Sequence, residues 1–255
     1  TISARFYNDC IVSGAKVTCS MLASGRRAVA IEVGAGSGGT ASSVLPVLQD
    51  RCKRYVFTDV SAAFFRQART RFAEYPFLEY ALLNIDADPR LQGFALHEHH
   101  ALISTNCLHA TPFIRNTLRH CSQLLRPGGV LVANDSMGTS AFAQITFGMT
   151  DGWWLFSDVE DPERASYDSP HMAWPQWRRV LVESGFDATY CMQGESWLQV
   201  QAVSEAPPRV SEGSSRSSLR PCRRSASRLV QAQIGPHQPI LEGNPEATKG
   251  ISEGS

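Results

Sequence analysis

The stretch Val29 to Thr40, VAIEVGAGSGGT, places an acidic residue and a cluster of glycines behind an apolar run. Glycine lets backbone approach a ligand closely, and the helix expected next offers free N–H groups to an anionic group. Two patterns share these residues. Gly34, Gly36 and Gly39 form the G-x-G-x-x-G spacing of a dinucleotide site, with pyrophosphate at the helix N-terminus. Glu32, Gly34, Gly36 and Gly38 form instead acidic-x-Gly-x-Gly-x-Gly, the pattern of adenosylmethionine sites. Asp59 ends the next apolar run, where a carboxylate accepts from both hydroxyls of a ribose; either cofactor has one. Glu32 separates the two, because a carboxylate faces pyrophosphate unfavourably and a sulfonium favourably. His109 follows a further apolar run, in a loop facing the same ligand. Taken alone, it reads as a structural imidazole or as a general base.

These residues need a scaffold that brings loop ends together. From Val29 to about Val203, strand-like runs alternate with helix-like stretches, the pattern of a parallel α/β sheet. Strands are expected at Val29–Val33, Tyr55–Val60, Leu78–Leu83, Ala101–Ser104 and Val130–Ala133, then at Ala188–Met192 and Trp197–Val203. Helices are expected at about Thr40–Leu48, ended or bent by Pro46, after Ser61 as a cap, from Thr111-Pro112 as cap and first position, and at Pro175–Ser184 before Gly185. Ile114, Leu118, Cys121 and Leu125 give the third of these a buried face, and "RPGG" stops it. In such sheets ligands bind beyond the carboxyl ends of the strands, where connections diverge to opposite faces.

Three regions differ in texture. Residues 1–28 read as a helical approach, 29–203 as the α/β domain, and 204–255, rich in Ser, Pro, Gly and Arg, as a disordered tail or linker. Arg216, Arg220, Arg223, Arg224 and Arg228 make a basic patch in that tail, read as solvated because no aromatic is interleaved. The 255 residues carry 24 Lys+Arg against 24 Asp+Glu, which argues against a nucleic-acid binder living on bulk charge. No apolar run is long enough to span a bilayer and no basic-then-apolar leader is present, so a cytoplasmic protein is expected, conceivably a piece of a longer one, since it begins with Thr. The 7 cysteines are scattered without a C-x-x-C pair and read as small apolar residues. His97 to His100, "HEHH", invites a metal reading, but strand alternation sends neighbours to opposite faces and no fourth ligand is evident.

The ordered set "EVGAGSGGTASSVLPVL", "YVFTDVSAAFF", "YPFLEY", "QGF", "TNCLHAT", "LLRPGG" and "TFGMTDGWWLF" resembles class I S-adenosyl-L-methionine-dependent methyltransferases, most closely the C-methyltransferase domains of polyketide synthases. The resemblance runs from about Phe6 to Val203. It implies a Rossmann-like, mostly parallel seven-stranded sheet with helices on both faces, and a lid insertion after strand five. It implies S-adenosyl-L-methionine held by Glu32, Gly34, Gly36, Gly38, Asp59, Val60, Asn84 and Asn106. It makes His109 of "LHAT" the base that removes the α-proton of a β-ketoacyl thioester, carried by an acyl carrier protein among neighbouring polyketide synthase domains. The family pairs that His with a carboxylate after strand five, usually Glu; here Asp135 stands there, one methylene shorter. Asn84 and His100 occupy positions where the family often has Asp. Tyr7 is implied to cover the cofactor, and Trp153 and Trp154 read as a lid over the acyl chain or as core packing. An oxygen acceptor, and a vestigial domain that binds cofactor without catalysis, remain open on the same residues.

Overall fold

The computed structural model describes residues 2–138, 141–166, 168–186, 189–193 and 199–205, with side chains inside 8–186. Its strands are β1 (Ala28–Val33), β2 (Cys52–Asp59), β3 (Leu78–Leu82), β4 (His99–Thr105), β5 (Leu125–Ser136), β6 (Thr189–Gln193) and β7 (Gln199–Glu205). Its helices are α1 (Ile2–Ser20), α2 (Ala41–Leu48), α3 (Ala63–Arg71), α4 (Ile114–Leu124), α5 (Ala141–Phe147), α6 (Leu155–Asp158) and α7 (Trp174–Glu183). The sheet order is β3-β2-β1-β4-β5-β7-β6. Five of its strands, β3-β2-β1-β4-β5, form the parallel sheet, and β7 and β6 continue it antiparallel.

Strand alternation divides the core into two layers. Ala30, Tyr55, Phe57, Ala101, Ile103 and Val132 face one way and bury Ile11 and Ala15 of α1, Val44 and Leu45 of α2, and Ala68 of α3. Ile31, Val33, Val56, Leu102 and Leu131 face the other way, against Leu118 and Cys121 of α4 and Val180 and Leu181 of α7. The chain reverses direction across the sheet between β1, which continues to β2, and β4, which continues to β5. That leaves a crevice at the carboxyl ends of β1 and β4.

Two local details have identifiable reasons. Pro46 does not end α2, which runs on to Leu48, because an apolar turn of Val44, Leu45 and Leu48 is pinned in the core. Thr111 does not cap α4, whose first residue is Ile114: its hydroxyl turns back to the Leu108 carbonyl at 2.9 Å. β7 reaches Glu205, two residues into the segment that composition assigned to the tail; the rest of that segment, with its arginines, lies outside the described residues.

Candidate active site

The turn after β1 needs three unusual backbone conformations, with Gly34, Gly36 and Gly38 at φ +68, +53 and +79. Gly38 is the discriminating one. A Cβ there would lie 2.6 Å from the Phe72 ring, whereas Gly39 has an ordinary φ and open space around it. The constrained glycines are therefore those of the acidic-x-Gly-x-Gly-x-Gly spacing. Asp59 ties this turn to β2: Oδ2 accepts the Gly36 N–H and Oδ1 the Ser61 N–H, both at 2.9 Å. Each carboxylate oxygen keeps a further lone pair for a ribose hydroxyl. A Cβ on Gly36 would project into open space, so the turn leaves room for a ligand above it. Val60, 69% exposed, is an apolar surface at the same edge.

Glu32 lies beneath the turn and is 1% exposed. The Tyr55 hydroxyl donates to its Oε2 at 2.8 Å. Burial outweighs that bond and pushes the Glu32 carboxyl up to about 8. Asn84 is exposed after β3, and its Oδ1 accepts the Asp86 N–H at 3.1 Å. Asn106, at φ +49, donates its N–H to the Asn134 carbonyl at 2.8 Å and accepts from the Ser136 hydroxyl at 3.2 Å. Asn106 thus joins the loops after β4 and β5, while Asn84 stands apart on a turn of its own, held by Gln92.

His109 sits in a short 3-10 turn, Leu108–Ala110, just past β4, and is buried. Asp135 belongs to β5, which β4 pairs in parallel register through Thr105 and Asn134. One Asp135 oxygen meets His109 Nδ1 and the other accepts the His109 backbone N–H at 3.2 Å. A carboxylate only accepts, so Nδ1 carries a proton, and in the neutral imidazole the lone pair is on Nε2. The short Asp side chain suffices because the whole turn, main chain included, comes down onto it.

Trp153 is buried with its ring edge-on to His109, centroids 6.5 Å apart. Its indole N–H donates to Gln144 Oε1 at 3.0 Å, tying it to α5. Trp154 diverges from it, 36% exposed, and its indole N–H donates to the Gly148 carbonyl. Tyr7 lies within α1, and its side chain is outside the described residues.

The histidine run does not gather. His97 Nδ1 meets the Leu125 carbonyl, His99 Nδ1 the Leu124 carbonyl, and His100 Nδ1 accepts the Val29 N–H. Burial, then the Arg126 guanidinium, lowers the His100 pKa. Among the described residues no three of His, Cys, Asp and Glu converge on a metal position, and no helix is long and apolar enough to cross a membrane.

The family model for "Methyltransferase domain" matches residues 31–131. The CurJ carbon methyltransferase is 37% identical with a TM-score of 0.67, over 74% of this chain and 50% of that one. The trans-methyltransferase CalH in complex with SAH is 26% identical with a TM-score of 0.67, over 80% of this chain and 58% of that one. This chain is a class I adenosylmethionine-dependent methyltransferase domain, closely related to the C-methyltransferase domains of polyketide synthases. Polyketide synthase ThaQ of Burkholderia thailandensis is 43% identical over 162 residues, 62% of this domain and 8% of that protein. The methyltransferase domain thus spans a small fraction of that relative and half of the CurJ structure.

Two residues of the domain that sequence patterns did not single out complete the site. His171, 3% exposed, packs edge-on against both His109 (4.7 Å between centroids) and Trp153 (5.0 Å). Its Nδ1–H donates to the Gly138 carbonyl. Burial, then the neighbouring His109, lowers its pKa to about 4, so it stays neutral beside the base. Arg164 is fully buried against the carbonyls of the His109 turn. Neither lies at a spacing that points to His109; only their contacts with the turn and ring of His109 bring them there.

Proposed function

We propose that this domain methylates the α-carbon of a β-ketoacyl thioester tethered to a carrier protein, with His109 as the base. The observation that carries the reading is the His109–Asp135 pair: the carboxylate takes Nδ1–H, which in the neutral imidazole leaves Nε2 to act as base, on a turn just past β4, the strand that pairs with β1 ahead of the glycine turn. Glu32, Gly34, Gly36, Gly38, Asp59, Val60, Asn84 and Asn106 are the residues we assign to holding S-adenosyl-L-methionine. When bound, the cofactor supplies a methyl group made electrophilic by a positively charged sulfur. The protein's part is proton transfer and placement. Two flanking carbonyls acidify the α-carbon of such a thioester; His109 Nε2 takes the proton, the C–H electron pair stays on carbon, and Asp135 steadies the resulting imidazolium.

The insertion supports an acyl substrate. Phe142, Ile145, Phe147 and Met149 of α5 and the turn after it are 66%, 70%, 56% and 81% exposed, more apolar surface than an idle loop carries. With Trp153 beside His109, this makes a lid for an acyl chain. The relationship to polyketide synthases supports a carrier-bound substrate and neighbouring synthase domains as partners.

The test is incubation of a β-ketoacyl carrier-protein substrate with cofactor, followed by mass spectrometry and carbon NMR. The expected product bears its methyl on the α-carbon, and His109→Ala lowers kcat by ~10²–10⁴-fold, the usual contribution of a positioned base. A methyl on oxygen identifies the domain as an O-methyltransferase instead. Tight SAH binding without turnover on any acyl substrate marks it as a vestigial scaffold.

A further inference from the structure

Arg164 has no exposed surface, and each nitrogen of its guanidinium donates a hydrogen bond. Nε donates to Asp161 Oδ2 at 2.6 Å. Nη1 donates to the His109 carbonyl at 2.6 Å, and Nη2 to the carbonyls of Thr111 and Pro112 at 2.7 and 2.8 Å. Three carbonyls of one turn, that of the base, converge on one planar fork. The fork belongs to the insertion, 55 residues along the chain from His109.

A buried ion pair is costly unless its remaining donors and acceptors are met, and an apolar pair of like volume often serves stability as well. Here the cost is offset by bonds to a turn whose geometry is demanding. Asp135 has little reach, and it holds His109 only because both the backbone N–H and Nδ1–H of that residue come to it. A shift of about 1 Å in a reacting group costs on the order of 10²-fold in rate. The same insertion supplies Trp153 and His171, which wall the imidazole on either side of Arg164 in sequence. Ring, turn and clamp are one packed unit.

We propose that Arg164 is a positioning residue: it draws the Leu108–Pro112 turn onto β5 so that Asp135 holds His109 in register, coupling placement of the insertion to placement of the base. This rests on the reading of His109 as base.

The experiment compares the full chain with Arg164→Lys and Arg164→Gln. Lysine keeps the charge beside Asp161 but, as a point donor on a flexible stem, cannot serve three carbonyls at once. Three quantities are measured: kcat and KM for the β-ketoacyl substrate, SAH affinity by calorimetry, and the downfield proton NMR signal of His109 Nδ1–H, assigned by its loss in His109→Gln. In Arg164→Lys the expectation is a kcat lower by ~10²-fold, as for a misplaced base, with KM and SAH affinity within about twofold and the Nδ1–H signal broadened or lost. Unchanged kcat or an intact Nδ1–H signal in a variant that binds SAH overturns the proposal. Loss of SAH binding in both variants also overturns it, by assigning Arg164 to the fold rather than to the base. A wild-type chain that fails to methylate carbon overturns the functional reading alone, because the NMR signal reports the position of His109 without turnover.

Discussion

Glu32 shows how a residue's environment changes the meaning of its type. The sequence offers a carboxylate suited to a cation; folding removes that carboxylate from water beside Tyr55, which raises it to about 8. The free domain therefore holds Glu32 protonated at neutral pH, and a cationic ligand binding above it favours ionisation. Binding of adenosylmethionine at pH 7 is accordingly expected to release a proton. Calorimetry in two buffers of different ionisation enthalpy reads that proton, and Glu32→Gln abolishes it; equal apparent enthalpies in both buffers would count against it. The linkage to stability has a definite sign. The unfolded chain loses the Glu32 proton near 4.5 and the folded one near 8, so between those values the native state binds more protons, and stability falls as pH rises. In Glu32→Gln that part of the decline is absent.

At the scale of elements, the glycine turn is the most sequence-determined part of the site and its nearest test. Gly38→Ala forces a left-handed residue and a methyl group onto Phe72, and is expected to destabilise by about 2 kcal/mol or more in urea unfolding and to weaken SAH binding. Gly39→Ala meets nothing and is expected to stay within about 0.5 kcal/mol. Equal effects at the two positions would return the turn to the dinucleotide reading. Elsewhere, element type was readable and element ends were not. β5 runs from Leu125 to Ser136 where apolar patterning marked only Val130–Ala133, because pairing with β4 and β7 recruits polar residues that no hydrophobic run announces. That extension is what makes Asp135 a strand residue rather than part of a loop.

The whole molecule adds its own test, since a ligand that binds only the folded state stabilises it by mass action. At a concentration of 100 times its dissociation constant, SAH is expected to add about 2.7 kcal/mol, read as a rise in Tm, while NAD adds nothing. Protection by NAD without protection by SAH would reverse the cofactor assignment. The domain covers half of the CurJ structure and 8% of ThaQ, and its exposed apolar side chains gather on α5 and the turn after it.

By itself, the order of residues determined the cofactor turn, the carboxylates at the strand ends and the candidate base. These depend on contacts a few residues apart, or on a strand–turn–helix whose geometry glycine spacing dictates. The family resemblance named Asp135 as the partner of that base, and tertiary structure alone added what walls and clamps it. Asp135 comes to His109 from 26 positions away through the pairing of β4 with β5, while Trp153, Arg164 and His171 come from 44, 55 and 62 positions away through contacts of the insertion with the His109 turn. Local propensity carries no information about contacts at such separation, because they form only when two independently folded surfaces meet.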